Sequence, residues 1–219
     1  MAFSQVTLNR FDSDGKRHGK WAKTFDNSEQ LRYEGQFEHG KEVGEFKFYQ
    51  MIGKVSKLAA VKEFNPDNNN AKVRFISLRG KTISEGMMNG KKYIGEWRYY
   101  HKNSDRLMTV EHYNEDGQLD GKRLVYYNNG QLAEELNFIK GKLEGTSNYY
   151  TMAGVLMKRY HYENNELHGL SEHFDEEGNL QIKGRYKRGK KDGVWTYYKN
   201  GEVWEEKDFS YVPKYRSKN

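Results

Sequence analysis

A glycine that returns at nearly fixed intervals constrains this chain more than any other feature. It stands at Gly19, Gly44, Gly95, Gly121, Gly145, Gly169 and Gly193, in steps of 25, 51, 26, 24, 24 and 24 residues. The long step spans two periods. Near its missing centre, Asn68-Asn69-Asn70 replaces a glycine turn behind Phe64. Eight copies of one motif, one of them degenerate, therefore fill most of the 219 residues. A fixed period of this length marks stacked supersecondary units.

The copies carry their shared features in the same order, though not every copy has all of them. An aromatic leads: Phe11, Phe37, Phe64, Tyr113, Phe138, Tyr162 or Tyr186. A Gly-Lys turn follows, as in Gly40-Lys41, Gly141-Lys142 and Gly189-Lys190, and the recurring glycine closes it. Five residues on stands another aromatic (Tyr49, Tyr100, Tyr126, Tyr150, Phe174, Tyr198), with Thr24 the exception in the first copy. A second turn ends the copy, as in Asn129-Gly130 and Asn200-Gly201. Asn-Gly favours tight hairpins because both residues tolerate positive φ. Two turns in one period leave room for two short strands and none for a crossover helix. No segment sustains apolar residues at helical spacing. The expected fold is all-β: an elongated single-layer antiparallel meander of about eight tandem β-hairpins. Sixteen strands at ~4.8 Å would extend roughly 75 Å.

The pattern divides the chain into a capping strand over 1–10, a repeat domain over 11–209 and a basic tail over 210–219. The tail leaves the rhythm at Pro213. The degenerate copy lies near 50–84. Gln50 to Lys62 is about three residues longer than its counterparts. That reads either as a bulge in a drifted repeat or as a loop interrupting the surface, and loops often carry function.

The chain contains 35% hydrophobic residues against 15% aromatic ones, which suits a thin structure built on rings. Its net charge of +6 comes from 37 basic and 31 acidic residues with the signs interspersed. That makes nucleic acid an unfavoured partner, which would want a concentrated basic stripe. The absence of cysteine excludes disulfides and thiolate metal sites. Met1-Ala2-Phe3-Ser4-Gln5 reads equally as the start of a cytoplasmic chain or as what remains after an export signal is removed. Cell envelope and cytoplasm are therefore equal expectations.

Signatures of catalysis fail one by one. Asp12-Ser13-Asp14-Gly15 begins like a calcium loop, but Arg17 and Lys23 occupy the positions that need Gly and an acid. It reads instead as hairpin-turn chemistry, with weak cation binding the lesser alternative. Gly80-Lys81-Thr82 lacks the first glycine of a phosphate loop, since Phe75 stands there. Adjacent carboxylates such as Glu134-Glu135 point to opposite faces of a strand. The seven histidines are scattered. No enzymatic activity, cofactor or metal is expected.

The pattern Tyr/Phe-x-x-Gly-Lys-x-x-Gly-x-Trp-x-x-Tyr followed by Asn-Gly-x-Leu resembles MORN repeats. It is carried by Phe37 to Tyr49, Tyr186 to Tyr198 and Asn129-Gly130-Gln131-Leu132. It is most similar to the bacterial variant found in YwqK-like antitoxins, and covers roughly residues 10–209. The resemblance implies a hairpin ribbon and a scaffold for protein–protein binding, with toxin neutralisation as one form. A module holding anionic lipid headgroups or cell-wall glycan is the alternative.

Two strand faces can be told apart. The residue five after the closing glycine lies opposite the residues two and four after it. Uniform aromatics at the fifth position argue for a structural ring stack, with Gly19 and its six counterparts as structural turns. The second and fourth positions vary. Their rings, Trp21, Phe46, Phe48, Trp97, Tyr99, Tyr149, Trp195 and Tyr197, are the candidate partner-binding residues, because Trp and Tyr favour interface hot spots; the competing reading makes them the second packed face of a curled ribbon.

Overall fold

In the computed structural model, residues 8–210 are described. Most of the expected capping strand and all but the first residue of the basic tail lie outside that range. The described residues contain eighteen strands and no helix. They fall into two compact units. The first runs to Leu107 and includes Tyr113–Gly117; the second comprises Met108–His112 and the residues from Gln118 onward.

The first unit is a meander of sequential antiparallel pairs. Its strands are β1 (Arg10–Phe11), β2 (Arg17–Thr24), β3 (Leu31–Glu38), β4 (Lys41–Ile52), β5 (Val55–Phe64), β6 (Asn70–Ile76), β7 (Thr82–Asn89) and β8 (Lys92–Tyr100). The second unit continues the scheme. Residues of β9 (Leu107–Tyr113) pair with β10 (Gly121–Tyr126), which pairs with β11 (Leu132–Ile139). Then come β12 (Lys142–Leu143), β13 (Gly145–Tyr150), β14 (Leu156–Glu163), β15 (Glu166–Phe174), β16 (Leu180–Lys187), β17 (Lys190–Lys199) and β18 (Glu202–Asp208). The all-β hairpin meander is as expected. The two strands beyond sixteen are two-residue pieces, β1 and β12.

The tight turns follow the sequence closely. His39-Gly40, Lys140-Gly141, Asn164-Asn165, Arg188-Gly189 and Asn200-Gly201 all hold positive φ at both central residues. That is the turn whose twist matches flanking strands. The stretch from Gln50 to Lys62 is not a loop. β4 and β5 are instead prolonged into the longest hairpin, with Gln50↔Lys57, Met51↔Ser56 and Ile52↔Val55 in register around Gly53-Lys54. The extra residues lengthen two paired strands, so the added backbone finds hydrogen bonds at once.

The closing glycine is a bulge device. All seven recurring glycines have positive φ, from 63° at Gly95 to 109° at Gly121. At several, such as Gly44, Gly95 and Gly193, an added Cβ would meet open space, so backbone conformation selects glycine there. The ladder breaks beside them: Gly86 pairs with Trp97 while Met87 pairs with Ile94, so Gly95 and Glu96 are extra. The same shift occurs at Glu34/Gln36 and Lys183/Arg185.

A second class of glycine sits opposite three of these bulges. Gly35, Gly86 and Gly184 have ordinary φ but no room: an added Cβ would lie 2.4 Å from Phe46, 2.5 Å from Trp97 and 2.2 Å from Trp195. Each ring lies flat on the neighbouring backbone. Two of them also donate a hydrogen bond near the bulge, Trp97 Nε1 to Met87 O at 2.8 Å and Trp195 Nε1 to Arg185 O at 3.1 Å. Where the second position is small, the residue eleven before it is large. Leu136 accompanies Ser147 and Tyr160 accompanies Ser171. Large and small residues thus alternate across neighbouring strands to fill one face.

Candidate protein-binding face

The second- and fourth-position face is the core. Trp97, Trp195 and Phe46 are at most 1% exposed. They pack with Ala71, Val73, Met88, Tyr93 and Phe64 in the first unit and with Tyr186 and Phe209 in the second. This corrects the expectation that these three rings stand ready for a partner: a ring without accessible surface has nothing to offer one. The half-buried members are engaged too. Trp21 sits between Phe11 and Phe37, Phe48 touches Phe46, Tyr99 touches Trp97, Tyr149 touches Tyr160, and Tyr197 touches Trp204. Cations cover the rims of this face: Arg17 lies over Trp21, Lys62 over Phe48, and Lys191 over Trp195 at 4.0 Å. Burial pushes the Tyr149 hydroxyl pKa up and the Lys62 amine pKa down.

The ring packing expected of the fifth position therefore belongs to the opposite face. Tyr49, Tyr100, Tyr126, Tyr150, Phe174 and Tyr198 are half-buried, and Tyr49, Tyr100 and Tyr150 lie beside charged side chains. Tyr49 Oη donates to Glu34 at 2.6 Å and Tyr100 Oη to Glu85 at 2.5 Å. Burial, then the carboxylate partner, pushes both phenols up to about 12. Farther along, Lys122 bonds Glu135 and holds that carboxyl below its usual range.

On this charged face the first unit has a cleft of about 400 Å³. Four carboxylates (Glu45, Glu63, Glu85, Glu96) and three cations (Lys72, Arg74, Arg98) line it, with Val61 and Met87 as an apolar floor. Register explains the array: Glu63 stands opposite Lys72, and Arg74 stands between Val61 and Glu85. Arg98 is held by Glu96 at 2.7 Å, and Glu85 by Tyr100. Among the described residues, Lys72, Arg74 and Glu63 make no side-chain hydrogen bond or ion pair. All three are exposed.

Sequence reasoning passed over these residues because they cluster in and beside the degenerate copy. A signal was present. Ala71-Lys72-Val73-Arg74-Phe75 alternates strictly, which places both cations on the face away from the core.

The family model for the MORN repeat variant matches residues 119–140 and 167–188. Each match begins just before a closing glycine, Gly121 or Gly169, and ends at the next tight turn. The hairpin that the model describes is thus the hairpin seen in β10–β11 and β15–β16. A repeat of this kind suits a scaffold or binding module. No curated protein matches the chain at a significant level.

Proposed function

We propose that this protein is a non-catalytic repeat scaffold that binds another protein through the charged face of its first unit. The observation that supports this reading is the division of labour between the faces. The aromatic face is consumed in holding the fold together. The opposite face keeps a cleft in which Lys72, Arg74 and Glu63 are exposed and uncommitted beside Val61 and Met87. Mixed charge around a small apolar floor suits a polypeptide partner of complementary pattern. It suits anionic lipid poorly, since four carboxylates line the same cleft. Toxin neutralisation, which the resemblance implies, is a special case that the partner's identity decides.

The test is affinity capture from the source cell with the parent protein and a Lys72→Glu/Arg74→Glu variant. Capture of a defined protein by the parent, at least tenfold reduced in the variant at unchanged melting temperature, supports the reading. Equal capture by both proteins counts against this face. Salt-sensitive binding of both to anionic vesicles, with no protein captured, favours the lipid alternative.

A further inference from the structure

Three side chains outside the cleft converge at one end of the first unit. Asp12 lies in the turn between β1 and β2, His18 on β2, and His39 in the turn between β3 and β4. Their ligand atoms all lie within 4.8 Å of one another. Asp12 Oδ2 is 2.8 Å from His39 Nδ1, and the rings of His18 and His39 are 4.9 Å apart. From these positions we infer a binding site for a divalent transition metal of the zinc type, with Asp12, His18 and His39 as ligands.

The donor set fits that chemistry. Two imidazoles and a carboxylate suit zinc, copper or nickel, whereas calcium and magnesium want oxygen alone. Bonds of about 2.0–2.1 Å at tetrahedral angles place ligand atoms roughly 3.3 Å apart. Here the Asp12–His39 pair is closer than that, and no pair of ligand atoms is more than 4.8 Å apart. Three protein ligands leave a fourth position open to water or to a partner's side chain.

The carboxylate is held ready. Asp12 Oδ1 accepts the backbone N–H groups of Asp14 at 3.0 Å and Lys16 at 2.9 Å, which fixes the group and leaves Oδ2 to the histidines. Its side chain is only 9% exposed. Such outer partners orient metal ligands. The two turns are also tied to each other, because Gly40 N–H donates to Arg17 O at 2.8 Å. His39 keeps positive φ, 46°, as the first central residue of its turn, so the ring is presented by a backbone the hairpin already requires. Lys16 and Arg17 flank the site, and their charge works against a cation. The expected affinity is therefore micromolar rather than that of a closed four-ligand site.

The experiment is calorimetric titration of the full chain with Zn²⁺ alone, at neutral pH. The parent should bind one ion with micromolar affinity and melt higher in its presence. His39→Ala and His18→Ala should each weaken binding at least tenfold while still folding, since His39 is exposed and His18 only half-buried. His161→Ala, an exposed histidine elsewhere, should bind as the parent does. Asp12→Asn separates ligation from turn-making, because the amide oxygen still accepts the turn N–H groups while the ligand charge is lost. Binding unaffected by the His18 and His39 changes, or absent at 100-fold excess over a micromolar Kd, overturns the inference.

Discussion

Replacing Gly86 by alanine should be among the most damaging one-carbon additions this protein can suffer. The new Cβ would lie 2.5–2.7 Å from three ring carbons of Trp97, where carbon atoms prefer about 3.5–4.0 Å. The ring, wholly buried, must back away by about 1 Å. That motion strains the packing by ~1–3 kcal/mol. It also stretches the 2.8 Å bond from Trp97 Nε1 to Met87 O, and an unpaired buried carbonyl adds ~1–3 kcal/mol. Together the loss is about 2–6 kcal/mol, a large part of a typical domain's stability of roughly 5–15 kcal/mol. Trp97→Ala alone should cost ~3–5 kcal/mol. In that background Gly86→Ala has no ring to meet, and a strand alanine is then favoured over glycine by roughly 0.5–1 kcal/mol. A urea-unfolding double-mutant cycle should therefore show a coupling above about 2 kcal/mol. If Gly86→Ala costs the same with and without the indole, the ring-on-glycine account is wrong. Gly86→Leu with Trp97→Ser, copying Leu136 with Ser147, should fold better than Trp97→Ser alone.

Other expectations concern the polar atoms and the pH limits. Ser147 and Ser171 are fully buried with hydroxyls that lack a partner, so Ser→Ala at either site should leave stability unchanged or raise it. A loss above about 1 kcal/mol would show that the hydroxyl is bonded. His173 has a buried, unpartnered Nε2, and burial lowers its pKa below 6.5. Its contribution is thus present above pH 6.5 and lost as pH falls through the lower folded value. His173→Phe should flatten that acid decline in melting temperature. Tyr49 and Tyr100 behave in the opposite sense. Their folded values of about 12 exceed the ordinary 10.0, so stability is intact below pH 10 and falls as pH rises toward 12. Tyr49→Phe with Tyr100→Phe should remove part of that alkaline decline.

The sequence made the hairpins legible because turn chemistry is local. A residue pair that must hold positive φ, such as Asn200-Gly201, announces itself wherever it stands. Face parity was legible too: Trp97 and Tyr99 do share one side, and Tyr100 turns to the other. Which side faces inward was not. Both faces carry aromatics, and the deciding residues are the glycines Gly35, Gly86 and Gly184, which matter through contact with a ring eleven residues away. The charged cleft escaped because it depends on register across β5, β6, β7 and β8. The Asp12, His18 and His39 cluster escaped because its members come from two turns and a strand, so no linear spacing links them.

The assignment of faces is tested most directly by collisional quenching of tryptophan fluorescence. In variants that each keep one of the four tryptophans, with phenylalanine at the other three, Trp97 and Trp195 should emit at short wavelength and resist acrylamide. Trp204, 61% exposed on β18, should emit at long wavelength and quench freely. Trp21 should fall between them. If Trp97 and Trp195 quench as readily as Trp204 in folded protein, the aromatic face is open to solvent, and the charged face loses its claim to be the binding surface.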